Sequence, residues 1–179
     1  KSDLDQLLKA NQAAALWVTG PAQHNPAMVY LTGGGHMTQA DVIKPVDRPA
    51  LLCHAPMERD EAAKTGLDTL NYSAYPAKDR LKAAEGNVLT AQALLYKSIF
   101  EKIGLTEGKV LLYGRTDFGR QHSVVNRLQE LMPGLQFEGD MNDSVLLQAM
   151  ATKGPEELDR IRKMGKVVTI VVSRVADLL

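Results

Sequence analysis

Two pairs of adjacent residues have the side-chain types that nucleophilic catalysis uses. Cys53-His54 combines a thiol with an imidazole base, and His122-Ser123 combines a base with a hydroxyl. A catalytic pair must lie within hydrogen-bond reach. The first pair falls in a predicted strand, where successive side chains point to opposite faces, and the second in a predicted helix, where neighbours diverge by about 100°. We therefore predict no catalysis by either pair, with Cys53 buried and His54 at the rim of the sheet.

Three consecutive glycines, Gly33 to Gly35, form a segment that could approach a phosphate closely. A dinucleotide-binding fingerprint that starts at Gly33 would need a further glycine at position 38, where the chain has Thr38. No Gly-Lys-Ser or Gly-Lys-Thr follows a glycine-rich run, so the phosphate loop of nucleotide hydrolases is excluded. The run is interpreted as a flexible turn.

The residues that could bind metal are scattered along the chain. No two of the four histidines share a helix face at ligand spacing, and no His-Glu-x-x-His motif occurs; they are His24, His36, His54 and His122. The acidic pairs fall at helix starts or in loops, where they favour the helix dipole or solvation; they are Asp60-Glu61, Glu156-Glu157 and Asp140/Asp143. A single cysteine excludes an internal disulfide and a four-thiolate zinc site. We predict no catalytic, cofactor-binding or metal-binding residue in this chain.

The composition is that of an ordinary globular domain. Of 179 residues, 45% are apolar and 23% charged, and the formal net charge is zero. This balance gives no basic surface for a phosphate backbone, so we expect no nucleic-acid partner. No run of about 18 apolar residues and no signal segment occurs, so we expect no membrane association. These features and the single cysteine predict a cytoplasmic protein.

Helical and strand patterns alternate along most of the chain. We predict helices over residues 4–13, 57–65, 78–103 with a break near Gly86-Asn87, 118–132 and 144–150. We predict strands over residues 15–19, 28–32, 39–44, 50–54, 68–72, 109–113 and 135–138. The strands over residues 39–44 and 50–54 are predicted to pair as a hairpin. Ser2 and Asp5 form a variant capping box for the first helix. Such alternation predicts an α/β domain with a mixed, mainly parallel sheet.

The last segment of the chain, residues 155–178, has a different pattern. Its apolar residues recur at steps of three or four, as on one face of a helix; they are Leu158, Ile161, Met164, Val168, Val171, Val175 and Leu178. The β-branched run over residues 167–172 favours a strand, but the spacing and the length favour a helix. No strand pattern follows, so we expect the partner surface of this helix to lie outside the chain.

Three ordered motifs resemble the N-terminal domains of the creatinase/prolidase family. Asn25 followed by Tyr30-Leu31-Thr32-Gly33 resembles the family's Tyr-Leu-Thr-Gly signature. Residues 57–62, Met-Glu-Arg-Asp-Glu-Ala, look like its Glu-Ala helix. Residues 153–163, Lys-Gly-Pro-Glu-Glu-Leu-Asp-Arg-Ile-Arg-Lys, are similar to the segment that leads into its catalytic domain. The matches run through the chain in the family's order.

The resemblance implies a three-layer α/β/α domain of ribonuclease-H-like arrangement over residues 1–152, and a linker helix over residues 153–179. It also implies a pita-bread catalytic domain, absent from this chain, with two aspartates, a histidine and two glutamates binding two Mn, Co or Zn ions. There a metal-bridging hydroxide attacks a peptide bond that precedes proline. The chain would then be a non-catalytic part of an Xaa-Pro dipeptidase or aminopeptidase P. It would contact its own catalytic domain and a second copy, and would form part of the wall around the peptide substrate.

A second interpretation remains open. The chain could be a stand-alone small-molecule or regulatory binding module of the same fold, without peptidase activity. The long apolar stripe over residues 158–178 favours the first interpretation, because exposed patches of that size usually mark an interface. In the isolated chain we expect this stripe to pair with that of a second copy.

Overall fold

Residues 3–142 and 145–178 are described by a computed structural model. Its strands are β1 (Ala13–Gly20), β2 (Ala40–Pro45), β3 (Leu51–His54), β4 (Asp68–Asn71), β5 (Gly108–Gly114) and β6 (Leu135–Gly139). Its α-helices are α1 (Leu4–Ala10), α2 (Pro26–Thr32), α3 (Arg59–Lys64), α4 (Ala77–Ala83), α5 (Val88–Lys102), α6 (Phe118–Leu131), α7 (Leu146–Ala151) and α8 (Pro155–Ala176). Two single 3₁₀ turns cover Pro56–Glu58 and Tyr72–Ala74.

The strands form one sheet in the order β4-β3-β2-β1-β5-β6. Strand β2 is antiparallel to both of its neighbours, β1 and β3. The other three pairings are parallel. The predicted mixed, mainly parallel sheet is confirmed, and so is the hairpin that joins β2 to β3.

Alternating side chains divide the interior into two apolar layers. Leu16 and Val18 of β1 face a layer that includes buried residues of α1, α2 and α7. Ala15 and Trp17 face the opposite layer, which contains the buried faces of α5 and α6. Helices therefore cover both faces of the sheet, and the three-layer α/β/α arrangement is confirmed.

The prediction of a strand over residues 28–32 is wrong, because this segment is helix α2. Pro26 occupies the first turn, and the side chain of Asn25 caps the helix by accepting a hydrogen bond from the Met28 amide at 3.3 Å. Gly33 ends the helix with φ +79°, a left-handed conformation that suits glycine. A short buried apolar run has the same composition in a helix and in a strand, so periodicity does not separate them.

The remaining predicted elements are present with shifted ends. Helix α1 ends at Ala10 and β1 already begins at Ala13, because Gln12 turns the chain with φ +54°. The predicted break in the long helix separates α4 from α5, and Asn87 caps α5 by accepting from the Thr90 amide at 2.9 Å. Of the predicted capping box, Ser2 lies outside the described residues, and Asp5 contacts Lys44 instead. Position 144, the first residue of the helix predicted over residues 144–150, also lies outside them.

Helix α8 is a 22-residue element whose apolar side chains lie uncovered. The exposed fractions of the large apolar side chains run from 38% for Leu158 to 61% for Val172, and those of Ile161, Met164, Val168, Val171 and Val175 lie between. The helix does not fold back onto the sheet layers in the described part of the chain. None of the helices described is both long and apolar enough to cross a bilayer.

Candidate functional site

A crevice opens where the parallel strands β1 and β5 end. After β1 the chain enters α2, which packs on one face of the sheet, and after β5 it enters α6, which packs on the other. When the chain leaves two neighbouring parallel strands towards opposite faces of the sheet, a crevice forms between the strand ends, and ligands of open α/β sheets usually bind there. The two strand ends meet closely, since the Arg115 amide donates to the Thr19 carbonyl at 3.0 Å. A Cβ atom at Gly114 would lie 2.0 Å from that carbonyl oxygen, so this position requires glycine.

Two cavities occupy the crevice on the side of α5 and α6. The polar cavity has a volume of about 280 Å³, and its lining includes Gln39, Asp41, Arg80, Gln92, Tyr96 and Arg120. The aromatic cavity has a volume of about 530 Å³, and its lining includes Trp17, Leu112, Phe118, His122, Val125 and Phe137. Both are also lined by Thr19, Thr116 and Gln121. The cavities are therefore neighbouring compartments of one crevice.

The carboxylate of Asp41 forms the floor of the polar cavity and is 1% exposed. The Trp17 indole N–H donates to its Oδ1 at 2.8 Å. The Tyr96 hydroxyl donates to its Oδ2 at 3.2 Å, and the Tyr72 hydroxyl donates to the same oxygen. A buried carboxylate is tolerated only when such donors replace water. The network joins β1, β2, the turn after β4 and α5.

The electrostatics of this network follow from its burial. Loss of solvent raises the pKa of Asp41, and the hydrogen bonds donated to the carboxylate oppose this shift. Burial, with the nearby Asp41 charge, raises the pKa values of Tyr72 and Tyr96 well above their usual range. Both phenols are therefore protonated at neutral pH and act as donors to the carboxylate.

Two arginines make the polar cavity a cationic one. Arg80 is held in place because its Nε donates to the Tyr75 carbonyl at 3.0 Å and its Nη1 to the Ala91 carbonyl at 2.8 Å. Burial lowers the pKa of the Arg80 guanidinium, which still stays protonated because arginine does so in all proteins. Among the described residues, neither Arg80 nor Arg120 forms an ion pair. The cavity thus presents two positive charges without a matching acid at its mouth.

The aromatic cavity has a buried floor and an exposed aromatic rim. Trp17 packs against Tyr96 and Phe137, with ring centroids 4.6 and 6.2 Å away. At the rim, Phe118 stacks on His122 with centroids 5.7 Å apart and an interplanar angle of 15°. Phe118 is 82% exposed. An exposed phenyl ring beside an apolar cavity is a surface that a flat apolar ligand can cover.

The structure places the two members of each candidate pair in different surroundings. Cys53 is buried, and burial raises the pKa of its thiol well above the usual range, which leaves it unreactive. The prediction of His54 at the rim is wrong, because His54 is 2% exposed and its Nδ1 lies 2.8 Å from the Ala55 carbonyl. His122 contacts Asn126 at 3.1 Å, whereas the Ser123 hydroxyl donates to the Gly119 carbonyl at 3.0 Å.

Each of the three acidic pairs has a member whose carboxylate contacts another group of the protein. Glu61 pairs with Lys64 at 2.5 Å, and Glu157 caps α8 by accepting from the Gly154 amide at 2.8 Å. Asp140 accepts from the Tyr113 hydroxyl at 2.5 Å. Asp143 lies outside the described residues. Within residues 3–142 and 145–178, no group of three or more histidine, cysteine or acidic side chains could hold a metal ion.

Sequence analysis did not identify Asp41, Arg80 or Arg120 as members of a site. One signal was present: Asp41 is a charged residue inside the apolar strand Ala40–Pro45, and such a residue is seldom buried unless it is paired. Arg80 and Arg120 have no comparable signal, since both lie on helices with other charged residues.

Solved structures of Xaa-Pro peptidases have a similar fold. A prolidase from Thermococcus sibiricus matches 96% of this chain and 41% of its own, with a TM-score of 0.61 and 13% identity. An X-Pro aminopeptidase from Thermotoga maritima matches 88% of this chain and 37% of its own, with a TM-score of 0.58 and 14% identity. A proline dipeptidase from Streptococcus agalactiae matches 80% of this chain and 96% of its own, with a TM-score of 0.50 and 19% identity.

The chain has the fold of a creatinase/prolidase N-terminal domain. It spans about two fifths of the Thermococcus and Thermotoga chains. No protein-family model and no curated protein matches the sequence. In this creatinase/prolidase-type fold, the crevice lies at the ends of β1 and β5, and α8 follows the three-layer domain.

Proposed function

We propose that the chain is a non-catalytic N-terminal domain of an Xaa-Pro dipeptidase- or aminopeptidase P-like metallopeptidase. The fold likeness to a prolidase and to an X-Pro aminopeptidase, of which the chain spans about two fifths, supports the proposal. In the proposed metallopeptidase, a second domain binds the two divalent metal ions and cleaves the peptide bond before proline. No set of described residues fits those metals, so the chemistry is assigned to that domain alone.

The uncovered face of α8 is the observation that carries the proposal. At about 100° per residue, the large apolar side chains from Met164 to Leu178 cover an arc about 140° wide, apart from Ile170. Arg162 and Lys166 lie on the opposite side of the helix. An arc of this width is typical of a helix that packs onto a domain. Covering one half-exposed valine or isoleucine contributes about 1 kcal/mol, so the catalytic domain gains a stable docking surface here.

Two further roles belong to the proposal. The domain contributes contacts between subunits, and it forms part of the wall that narrows the active site of its own or a neighbouring subunit. The resemblance to creatinase/prolidase N-terminal domains supports both roles.

Hydrolysis of Xaa-Pro dipeptides and Xaa-Pro-containing tripeptides tests the proposal. The isolated chain should give no turnover with Mn²⁺, Co²⁺ or Zn²⁺. The product of the complete reading frame should hydrolyse at least one of these substrates, and a chelator should abolish this activity. Metal-dependent turnover that stays with the isolated chain through denaturing purification and refolding would contradict the assignment. So would a reading frame without the two aspartates, the histidine and the two glutamates.

The crevice favours a second candidate function, a stand-alone binding module. Its two cavities fall within the size range of small-molecule sites, about 300–1,000 Å³, when taken together. The reading frame distinguishes the two candidate functions, because only the peptidase proposal requires it to encode a metal-binding domain. A module would function without a metal-binding domain, and its α8 would contact a separate protein.

A further inference from the structure

We propose that the polar and aromatic cavities together form a binding site for a small organic anion that carries an aromatic ring. The head group is a carboxylate or a phosphate. This inference goes beyond the proposed peptidase role and does not depend on it, because the site lies within the described three-layer domain.

The anionic head group follows from the charges of the polar cavity. Arg80 and Arg120 line it, and neither forms an ion pair among the described residues. Asp41 is the one acid among the lining residues described, and its carboxylate accepts hydrogen bonds from Trp17, Tyr72 and Tyr96. Among the described residues Asp41 forms no ion pair with either arginine, so both guanidinium groups keep N–H donors for a ligand. A carboxylate or phosphate matches the planar donor fork of a guanidinium.

The ring follows from the aromatic cavity. Phe118 exposes most of its side chain at the rim, while Trp17 and Phe137 form apolar walls deeper inside. An aromatic ring that entered here would cover Phe118 and gain offset or edge contacts with the other two rings. The volume of about 530 Å³ leaves room for a single or a fused ring.

The shared lining residues set the length of the ligand. Thr19, Thr116 and Gln121 border both cavities, so the head-group compartment adjoins the ring compartment. Adjacent compartments suit a short ligand, in which the ring is attached to the anion directly or through one or two bonds. Phenylacetate and phenyl phosphate have this form.

Titration of the full chain with these two compounds tests the proposal. Trp17 is the single tryptophan and lines the aromatic cavity, so its fluorescence reports binding directly. Phenylacetamide serves as the uncharged analogue. The variants Arg120→Gln and Phe118→Ala remove one feature of each cavity at exposed positions, so the fold should be retained. Arg162→Gln and Met57→Ala are the matched controls, because both positions lie outside the crevice.

We expect saturable binding of at least one anion, and the ratio of the two affinities identifies the head group. Arg120→Gln should raise the dissociation constant about tenfold, as for the loss of a charge-assisted hydrogen bond. Phe118→Ala should raise it about fivefold, as for the loss of an aromatic contact. The controls should stay within about twofold of the parent chain. The proposal is overturned if neither anion saturates below about 10 mM, if the amide binds equally well, or if the variants behave as the controls do.

Discussion

At the scale of single residues, Asp41 determines how the middle of the sheet packs. Its carboxylate receives hydrogen bonds from three aromatic side chains on three other elements. Leaving these buried donors without an acceptor would cost more than the bonds themselves contribute, because each donor would lose its partner away from water. The network therefore positions the walls of the polar cavity as well as stabilising the fold.

The Asp41→Asn change should alter how stability depends on pH. Burial raises the pKa of Asp41 in the folded chain, whereas the unfolded chain has the usual value of about 3.9. The native state then holds the Asp41 proton to higher pH than the unfolded state does. The contribution of Asp41 to the free energy of unfolding is therefore greatest below the unfolded pKa and declines as pH rises through the folded pKa. The side-chain amide of the variant cannot titrate, so the variant should lose this decline.

Urea unfolding of the parent chain and the variant measures this difference in the free energy of unfolding. The measurements run from about pH 3.5, just below the pKa of an aspartate in an unfolded chain, to about pH 8. The parent-minus-variant free energy should fall as pH rises. Asp60→Asn, at a carboxylate whose side chain is 86% exposed, is the surface control. A difference that stays constant or rises with pH would show that Asp41 is not destabilised by its burial.

Sequence analysis succeeds at the residue scale where the decisive geometry is local. The separation of Cys53 from His54 follows from strand alternation alone, and the structure agrees. The Asp41 network is different, since its donors lie 24, 31 and 55 positions away in the sequence. Only the folded arrangement of the strands and α5 brings them together, and for the same reason His54 could not be assigned to the interior.

At the scale of elements, α2 shows where local pattern is insufficient. The alternation of helix and strand predicted an α/β domain with a mixed, mainly parallel sheet and most of its elements, because periodicity over ten or more residues reports the buried face. The run over residues 28–32 is too short for that. Its helical state depends on Asn25 as cap, Pro26 in the first turn and Gly33 at the end.

The Asn25→Ala change should destabilise the domain more than the loss of an ordinary helix cap. Asn25 is buried, accepts from the Met28 amide and donates to the Thr19 carbonyl at 3.1 Å. The variant loses the cap and one of the two donors to the Thr19 carbonyl, which keeps its hydrogen bond from the Arg115 amide. The two losses together cost about 2 kcal/mol. Asn87→Ala removes an exposed cap alone and should cost about 1 kcal/mol. Denaturant unfolding compares the two, and equal losses would refute this role for Asn25.

At the scale of the whole molecule, no part of the chain that the structure describes covers the apolar face of α8. Because the helix does not fold back, the isolated chain should dimerise through it at high concentration. A stripe of this kind is covered most simply by an identical stripe around a two-fold axis. Changing Ile161, Val168 and Val175 together to Ser should give a monomer by sedimentation or light scattering.

The matched control changes the polar side of α8, with Arg162, Lys166 and Thr169 replaced by Ser. This variant should remain a dimer. A monomeric parent chain at high concentration, or a dimer that survives the apolar triple change, would contradict this account of the helix.

The central claim is that a catalytic domain of the same polypeptide covers α8, and the oxidation rate of Met164 tests it most directly. Met164 lies in the apolar arc, while Met57 and Met141 are each 95% exposed and act as internal references. Peroxide oxidation followed by mass spectrometry should show Met164 reacting readily in the dilute, monomeric isolated chain. In the product of the complete reading frame, Met164 should react at least about tenfold more slowly relative to the two references, as expected when a thioether is buried. Equal relative rates in the two proteins would contradict the claim.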